Sequence, residues 1–200
     1  MQQLAPSDRA LALARKLPIV RPRDVEGIGV PREYLLRLHS AGKLERVGRG
    51  LYRLPNSPIT EQHSLAQVAR RVPRSVVCLL SALVFHNIGT QNPFEVWIAV
   101  PRGSRRPTLS APPIRVTTLS GIGYSEGLEE HLIEGVAVRV YGVAKTVVDC
   151  FRFRNKIGID VALEALRDSI RSKKTTINEI HQFAKSARLE RVMRPYLEGL

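Results

Sequence analysis

The residues best suited to chemistry in this chain are arginines. Arg32 and Arg37 stand five positions apart, with Ser40 three further on. A guanidinium fork matches a phosphate or the O6/N7 edge of guanine, and a hydroxyl bonds phosphate oxygen. Arg46, Arg49 and Arg53 follow, the middle one inside Gly48-Arg49-Gly50, and Arg21 and Arg23 precede them. This is the chemistry of polyanion recognition rather than bond cleavage. A magnesium nuclease needs clustered carboxylates with an acidic-x-Lys triplet, and no Glu-x-Lys or Asp-x-Lys occurs anywhere. Also missing are a Gly-Ser turn followed by paired aspartates, a GxxxxGK[ST] phosphate loop and a GxSxG elbow. His63, His86, His131 and His181 are scattered singly, and Asp149 lies in an apolar helix. Cys78 and Cys150 form no CxxC pair, sit in apolar runs and read as buried small hydrophobes. No catalytic residue, metal site or cofactor is expected.

The charge balance agrees with the arginines. Lys and Arg number 31 against 18 Asp and Glu, a formal net charge of +13. Such a chain attracts polyanions and meets them faster. Residues 1–54 hold eleven Lys and Arg against five Asp and Glu. The 44% hydrophobic content predicts a globular chain. No apolar run reaches the roughly 18 residues of a membrane span, and the start lacks the charged and apolar regions of a signal peptide. A cytoplasmic location is expected.

The elements that must hold these arginines can be read from periodicity. Ser7 is placed to cap a first helix, whose Ala10, Leu13, Ala14 and Leu17 share one face and which Pro18 stops. Ile19-Val20 reads as a short extended piece and 23–26 as a second helix. Pro31 opens a third over 32–41, closed by Gly42. If Leu35 and Leu38 face the core, Arg32, Glu33, Leu36, Arg37 and Ser40 face outward. Arg32 and Arg37 then suit guanine edges, and His39 or Ser40 phosphate. Two strands around a Gly-Arg-Gly turn put Arg49 at the tip of a basic hairpin, with Arg46 and Arg53 extending its surface. The fold class expected is α+β: a winged helix-turn-helix over 1–54, a linker over 55–59 and a mixed α/β domain over 60–200 that ends in helices. In that domain Thr60 is placed to cap a helix to 72. The run 76–80 reads as strand or helix, and 81–87 as a short helix. Strands are expected at 95–100 and 114–119, a hairpin around Glu134-Gly135, and helices at 143–151, 160–171, about 177–187 and 189–197. The last but one opens on a capping box, Thr176 to Glu179. Two loops are basic, one with Arg102, Arg105 and Arg106, the other with Arg171, Lys173 and Lys174.

The stretch 35–54, with Gly42-Lys43-Leu44-Glu45-Arg46-Val47-Gly48-Arg49-Gly50-Leu51-Tyr52, resembles the winged-helix start of AbiEi-type antitoxins from bacterial type IV toxin–antitoxin pairs. Ser81-Ala82-Leu83 with His86 and Gly89 is similar to a short helix of that family. So are the hairpin at 136–141 and the run Ala144-Lys145-Thr146-Val147-Val148-Asp149. The similarity runs through nearly the whole chain. It implies an autorepressor that binds the double-stranded DNA of its own promoter and serves in phage defence. It also implies a C-terminal antitoxin domain without enzyme activity, acting against a nucleotidyltransferase-type toxin without a stable complex. The two basic loops are then the candidate antitoxin surface. The alternative is a stand-alone winged-helix regulator whose second domain senses a ligand or dimerises. A basic nuclease or RNA-processing enzyme is a third class, and the missing acidic-x-Lys triplet opposes a nuclease.

Overall fold

The computed structural model describes residues 5–17, 19–55 and 62–199. Contacts divide the chain into two units. The first is Met1–Arg71 with Leu132–Ala137; the second is Val72–His131 with Val138–Leu200.

The first unit opens with α1 (Pro6–Lys16), which buries Ala10 and Ala14. Ser7 does not cap it: the helix begins at Pro6, Ala5 takes the cap position, and no side chain caps it. Proline fits the first turn because its missing N–H would have no partner there. The expected stop at Pro18 lies outside the described residues. The Ile19-Val20 piece is extended, and Val20 exchanges backbone hydrogen bonds with Tyr52 at 2.7 and 3.0 Å. Helix α2 (Pro22–Glu26) follows, with the Asp24 carboxylate accepting the Arg21 backbone N–H at 2.8 Å. Helix α3 (Glu33–Ser40) buries Leu35 and Leu38. These join Ala10, Ala14, Val20, Val25, Val30, Leu44 and Tyr52 in one core. Gly42, at φ 67°, turns the chain out of α3.

An antiparallel hairpin comes next, β1 (Glu45–Gly48) and β2 (Leu51–Arg53), in the register Glu45 to Arg53, Arg46 to Tyr52 and Gly48 to Leu51. Val47 is the extra residue of a bulge. Arg49 and Gly50 make the turn, and Gly50 takes φ 69°, which glycine adopts without strain. Beyond the undescribed residues 56–61, which include the expected cap Thr60 and most of the expected linker, α4 (His63–Arg71) belongs by its contacts to this first unit. The composition of the sequence alone ends that unit at 54. The reason is hydrogen bonding: Arg70 donates to Ile19 O at 2.7 and 3.2 Å and pairs with Asp24 at 2.7 Å.

The second unit is built on a five-stranded mixed sheet. Its elements are β3 (Val76–Val77), α5 (Leu79–Phe85), β4 (Val96–Pro101), β5 (Ile114–Leu119), α6 (Ile122–Ser125), β6 (Leu128–Ile133), β7 (Val136–Tyr141), α7 (Val143–Arg152), α8 (Arg154–Ile157), α9 (Ile159–Arg171), α10 (Ile177–Ser186) and α11 (Glu190–Leu197). The strand order is β5-β4-β3-β7-β6, and the end of β6 (132–133), the turn and the start of β7 (136–137) group by contacts with the first unit. β3 runs antiparallel to β4 and parallel to β7, and β4 runs parallel to β5. Interior β4 is buried from Val96 to Val100, which is why its sequence reads as a continuous apolar run. The run at 76–80 that suited strand or helix is both: β3 ends at Val77 and α5 begins at Leu79. Glu134 and Gly135, both at positive φ (48° and 68°), link β6 to β7 in the manner of a type I′ turn. The apolar faces of α5, α7, α9 and α10 meet in a core that includes Leu83, Phe151, Leu166 and Ile180. Cys78 and Cys150 are buried and unbridged, as small hydrophobes would be. The chain is therefore α+β, and no described helix is long and apolar enough to cross a membrane.

Candidate nucleic-acid interface

Helix α3 presents the face its periodicity required. With Leu35 and Leu38 inside, Arg32, Glu33, Leu36, Arg37 and Ser40 are exposed. The Arg37 guanidinium lies 5.1 Å from the Tyr34 ring centroid, a cation–π contact that narrows its range of positions. Arg32 reaches Glu33 only at 3.9 Å, and both side chains are well exposed, so this pair leaves Arg32 available. Leu36, 55% exposed, puts an apolar surface between two arginines, suited to the methyl group of thymine. His39 is otherwise employed. It is half-buried, with Nδ1 3.1 Å from Leu44 O, and its ring packs edge-on to Tyr52.

The hairpin places Arg49 exposed in its two-residue turn and Arg46 exposed beside it, with Arg46 Nε donating to Gly48 O at 3.3 Å. Arg53 does not extend that surface. Its side chain is 12% exposed and donates twice to Glu45 Oε2, at 2.7 and 2.9 Å. Glu45 faces Arg53 directly across the hairpin, the geometry in which opposite charges pair. Arg21 is likewise turned inward: it pairs with Asp24 at 3.3 Å and donates to Arg70 O at 2.6 Å. Arg23, one position into α2, stays exposed. Thus Arg23, Arg32, Arg37, Ser40, Arg46 and Arg49 face outward, while Arg21 and Arg53 hold the unit together.

Sequence reasoning missed Gln67, Arg70 and Arg71, whose partners include the hairpin, α2 and the extended piece at Ile19, far back in the chain. Burial pulls the Arg70 pKa down and Asp24 opposes that shift. The side chain remains a cation. At the other end of α4, His63 Nδ1 lies 2.6 Å from Glu134 Oε2, and its Nε2 lies 2.9 Å from Gln67 Nε2.

In the second unit, the two basic loops are each tied to their own surroundings. Arg102, Arg105 and Arg106 are exposed between β4 and β5, and Arg106 donates to Val116 O at 3.4 Å. Arg171 is 84% exposed and pairs with Asp168 at 2.8 Å. Lys173 is exposed at φ 55°. Lys174 donates to His86 O and, at 2.7 Å, to Asn87 O. A cation there satisfies carbonyls left open by the end of α5. Asp149 is paired with Lys145 inside the core. Burial raises its pKa and Lys145 opposes the rise. The Lys145 ammonium also sits 4.6 Å from the Tyr141 ring centroid.

Helices α1, α2 and α3 followed by a basic hairpin, with exposed arginine at the third helix, have the order of elements of a helix-turn-helix domain. Residues 8–55 match the model of a family described as "Transcriptional regulator, AbiEi antitoxin". The resemblance carried by residues 35–54 is thereby shown over that segment. No characterised protein sequence matches the chain. Among solved structures, the chain is similar to the RV2827C protein from Mycobacterium tuberculosis, at 14% identity and a TM-score of 0.59, over 92% of this chain and 72% of that one. At that identity the likeness is one of fold.

Proposed function

We propose that this chain is a DNA-binding transcriptional regulator whose N-terminal unit works as a winged helix-turn-helix, repressing its own promoter, and that it is the antitoxin of a type IV pair. The observation that carries this reading is the exposed row of Arg32 at the N-cap of α3 and Leu36, Arg37 and Ser40 on it, together with Arg49 exposed in the hairpin turn. A helix of that composition suits the major groove, and a basic turn beside it suits phosphate. The match at residues 8–55 supports the regulator and antitoxin role. The reading places the protein on cytoplasmic DNA and gives it no catalytic step. It makes the two basic loops, with Arg102, Arg105, Arg106, Arg171, Lys173 and Lys174 all exposed, the surface through which a nucleotidyltransferase-type toxin is countered without a stable complex.

The test is binding to DNA from upstream of its own gene, titrated with salt. About five neutralised phosphates give a slope of about −4.5 in log K against log salt. Arg37→Ala is expected to relax base preference, at a cost of about 1–3 kcal/mol for a bidentate guanine contact. Salt-independent binding, or no loss when Arg37→Ala and Arg49→Ala are combined, overturns the DNA reading; an unchanged base preference in Arg37→Ala alone removes its guanine contact. Co-expression with the product of the adjacent gene tests the antitoxin role. Promoter binding without rescue of growth leaves a stand-alone regulator.

A further inference from the structure

Helix α4 grips the hairpin from the side of its backbone. Gln67, only 8% exposed, directs its Nε2–H toward Val47 O, 3.5 Å away. Arg71 donates from its guanidinium to Arg49 O at 3.3 Å. Val47 and Arg49 are the bulge and turn residues, neither of them at a paired position of the ladder. The same helix is anchored to the rest of the unit through Arg70, which binds Ile19 O and Asp24.

Gly48, between the two gripped residues, is what lets Arg71 in. A Cβ on Gly48 would lie 2.3 Å from Arg71 Nη2 and 3.1 Å from its Cζ. Any side chain there must push the guanidinium out. No positive φ requires glycine at 48, so the missing Cβ serves the close approach. A two-stranded hairpin is marginal alone. One fixed in advance loses less conformational freedom when it meets a ligand.

We infer that Arg71 is a positioning residue of the DNA-binding face. Its guanidinium, seated against Gly48, holds the hairpin turn so that the Arg49 side chain meets the phosphate backbone. The inference rests on the DNA-binding reading above, and Arg71 acts through Arg49 rather than by touching DNA itself.

The experiment uses the full-length protein and upstream DNA of its own gene in a fluorescence-anisotropy titration over salt, with thermal melts alongside. Gly48→Ala evicts the guanidinium without changing any charge, Arg71→Gln removes it, and Arg49→Ala removes the contact it serves. Each single change is expected to weaken binding by about tenfold or less and to flatten the salt slope by about 0.9, the share of one phosphate. Adding Arg71→Gln or Gly48→Ala to Arg49→Ala is expected to cost nothing more, because the three changes remove one contact. Losses that add mean that Arg71 meets DNA on its own account, and the inference falls. It falls also if Arg49→Ala weakens binding while Gly48→Ala and Arg71→Gln do not, or if Arg49→Ala changes nothing. Should Gly48→Ala fail to fold, the Arg71→Gln pair decides alone. A parent protein that ignores the DNA removes the DNA-binding reading and the inference together.

Discussion

At the scale of single residues, formal charge and usable charge part company. Arg21 and Arg53 look in sequence like their neighbours Arg23 and Arg49, yet each is drawn into an ion pair. The Arg53 pairing was hidden by the bulge. With Arg49-Gly50 as the turn an unbulged ladder sets Arg46 opposite Arg53, and only the extra residue at Val47 brings Glu45 there. The Arg21 bond to Arg70 O spans 49 positions, and no local pattern announces it. His86 gives a residue-scale prediction. Burial lowers its pKa from 6.5, and its Nε2 lies 2.8 Å from Tyr141 O. The unfolded chain therefore takes up this proton at a higher pH than the folded one does. Between 6.5 and the lower folded value the unfolded state holds more protons, so stability is lost as pH falls through that window. The melting temperature should drop between pH 7.5 and 5. His86→Gln keeps an N–H donor without the titration and should drop less. Equal drops would refute the assignment.

At the scale of elements, periodicity found most of what is long. Strands β4, β5, β6 and β7 and helices α7, α9, α10 and α11 lie where alternation and 3.6-residue spacing put them, to within a residue or two. Helices α6 and α8, four residues each, went unseen because a single turn displays no period. The sequence signal for α10 was chemical. Thr176 Oγ1 accepts the Glu179 N–H at 3.2 Å, and the Glu179 carboxylate accepts the Thr176 N–H at 2.8 Å. Thr176→Ala should cost about 1 kcal/mol, seen as a fall of about 2–4 °C in Tm for a chain of this size. An unchanged Tm would mean that packing against α7 and α11 alone sets this helix.

At the scale of the whole molecule, the sequence reading made α4 part of the later domain, since a proline pair and a fresh amphipathic helix look like a new start. Long-range hydrogen bonds decide otherwise, and those leave no mark in local composition. Fragments make the difference measurable. A fragment of residues 1–71 keeps the Arg70 bonds to Ile19 O and Asp24; a fragment of residues 1–54 loses them. The longer fragment should melt at a higher temperature by circular dichroism. Equal melting would show that α4 adds nothing to the first unit.

Residues 132–137 group with this first unit although more than sixty positions separate them from Arg71. Their Glu134 supplies the carboxylate that His63 meets at 2.6 Å. A head assembled from two distant stretches of chain is awkward to trade. A recombination that joins residues 1–71 to a foreign body through one crossover leaves the second stretch behind, and His63 then faces whatever the new body provides. A working graft has to carry both pieces, or change His63 to suit its new host. Gene shuffling should therefore move this head less freely than a self-contained DNA-binding module, and an engineer who borrows it should budget for two junctions.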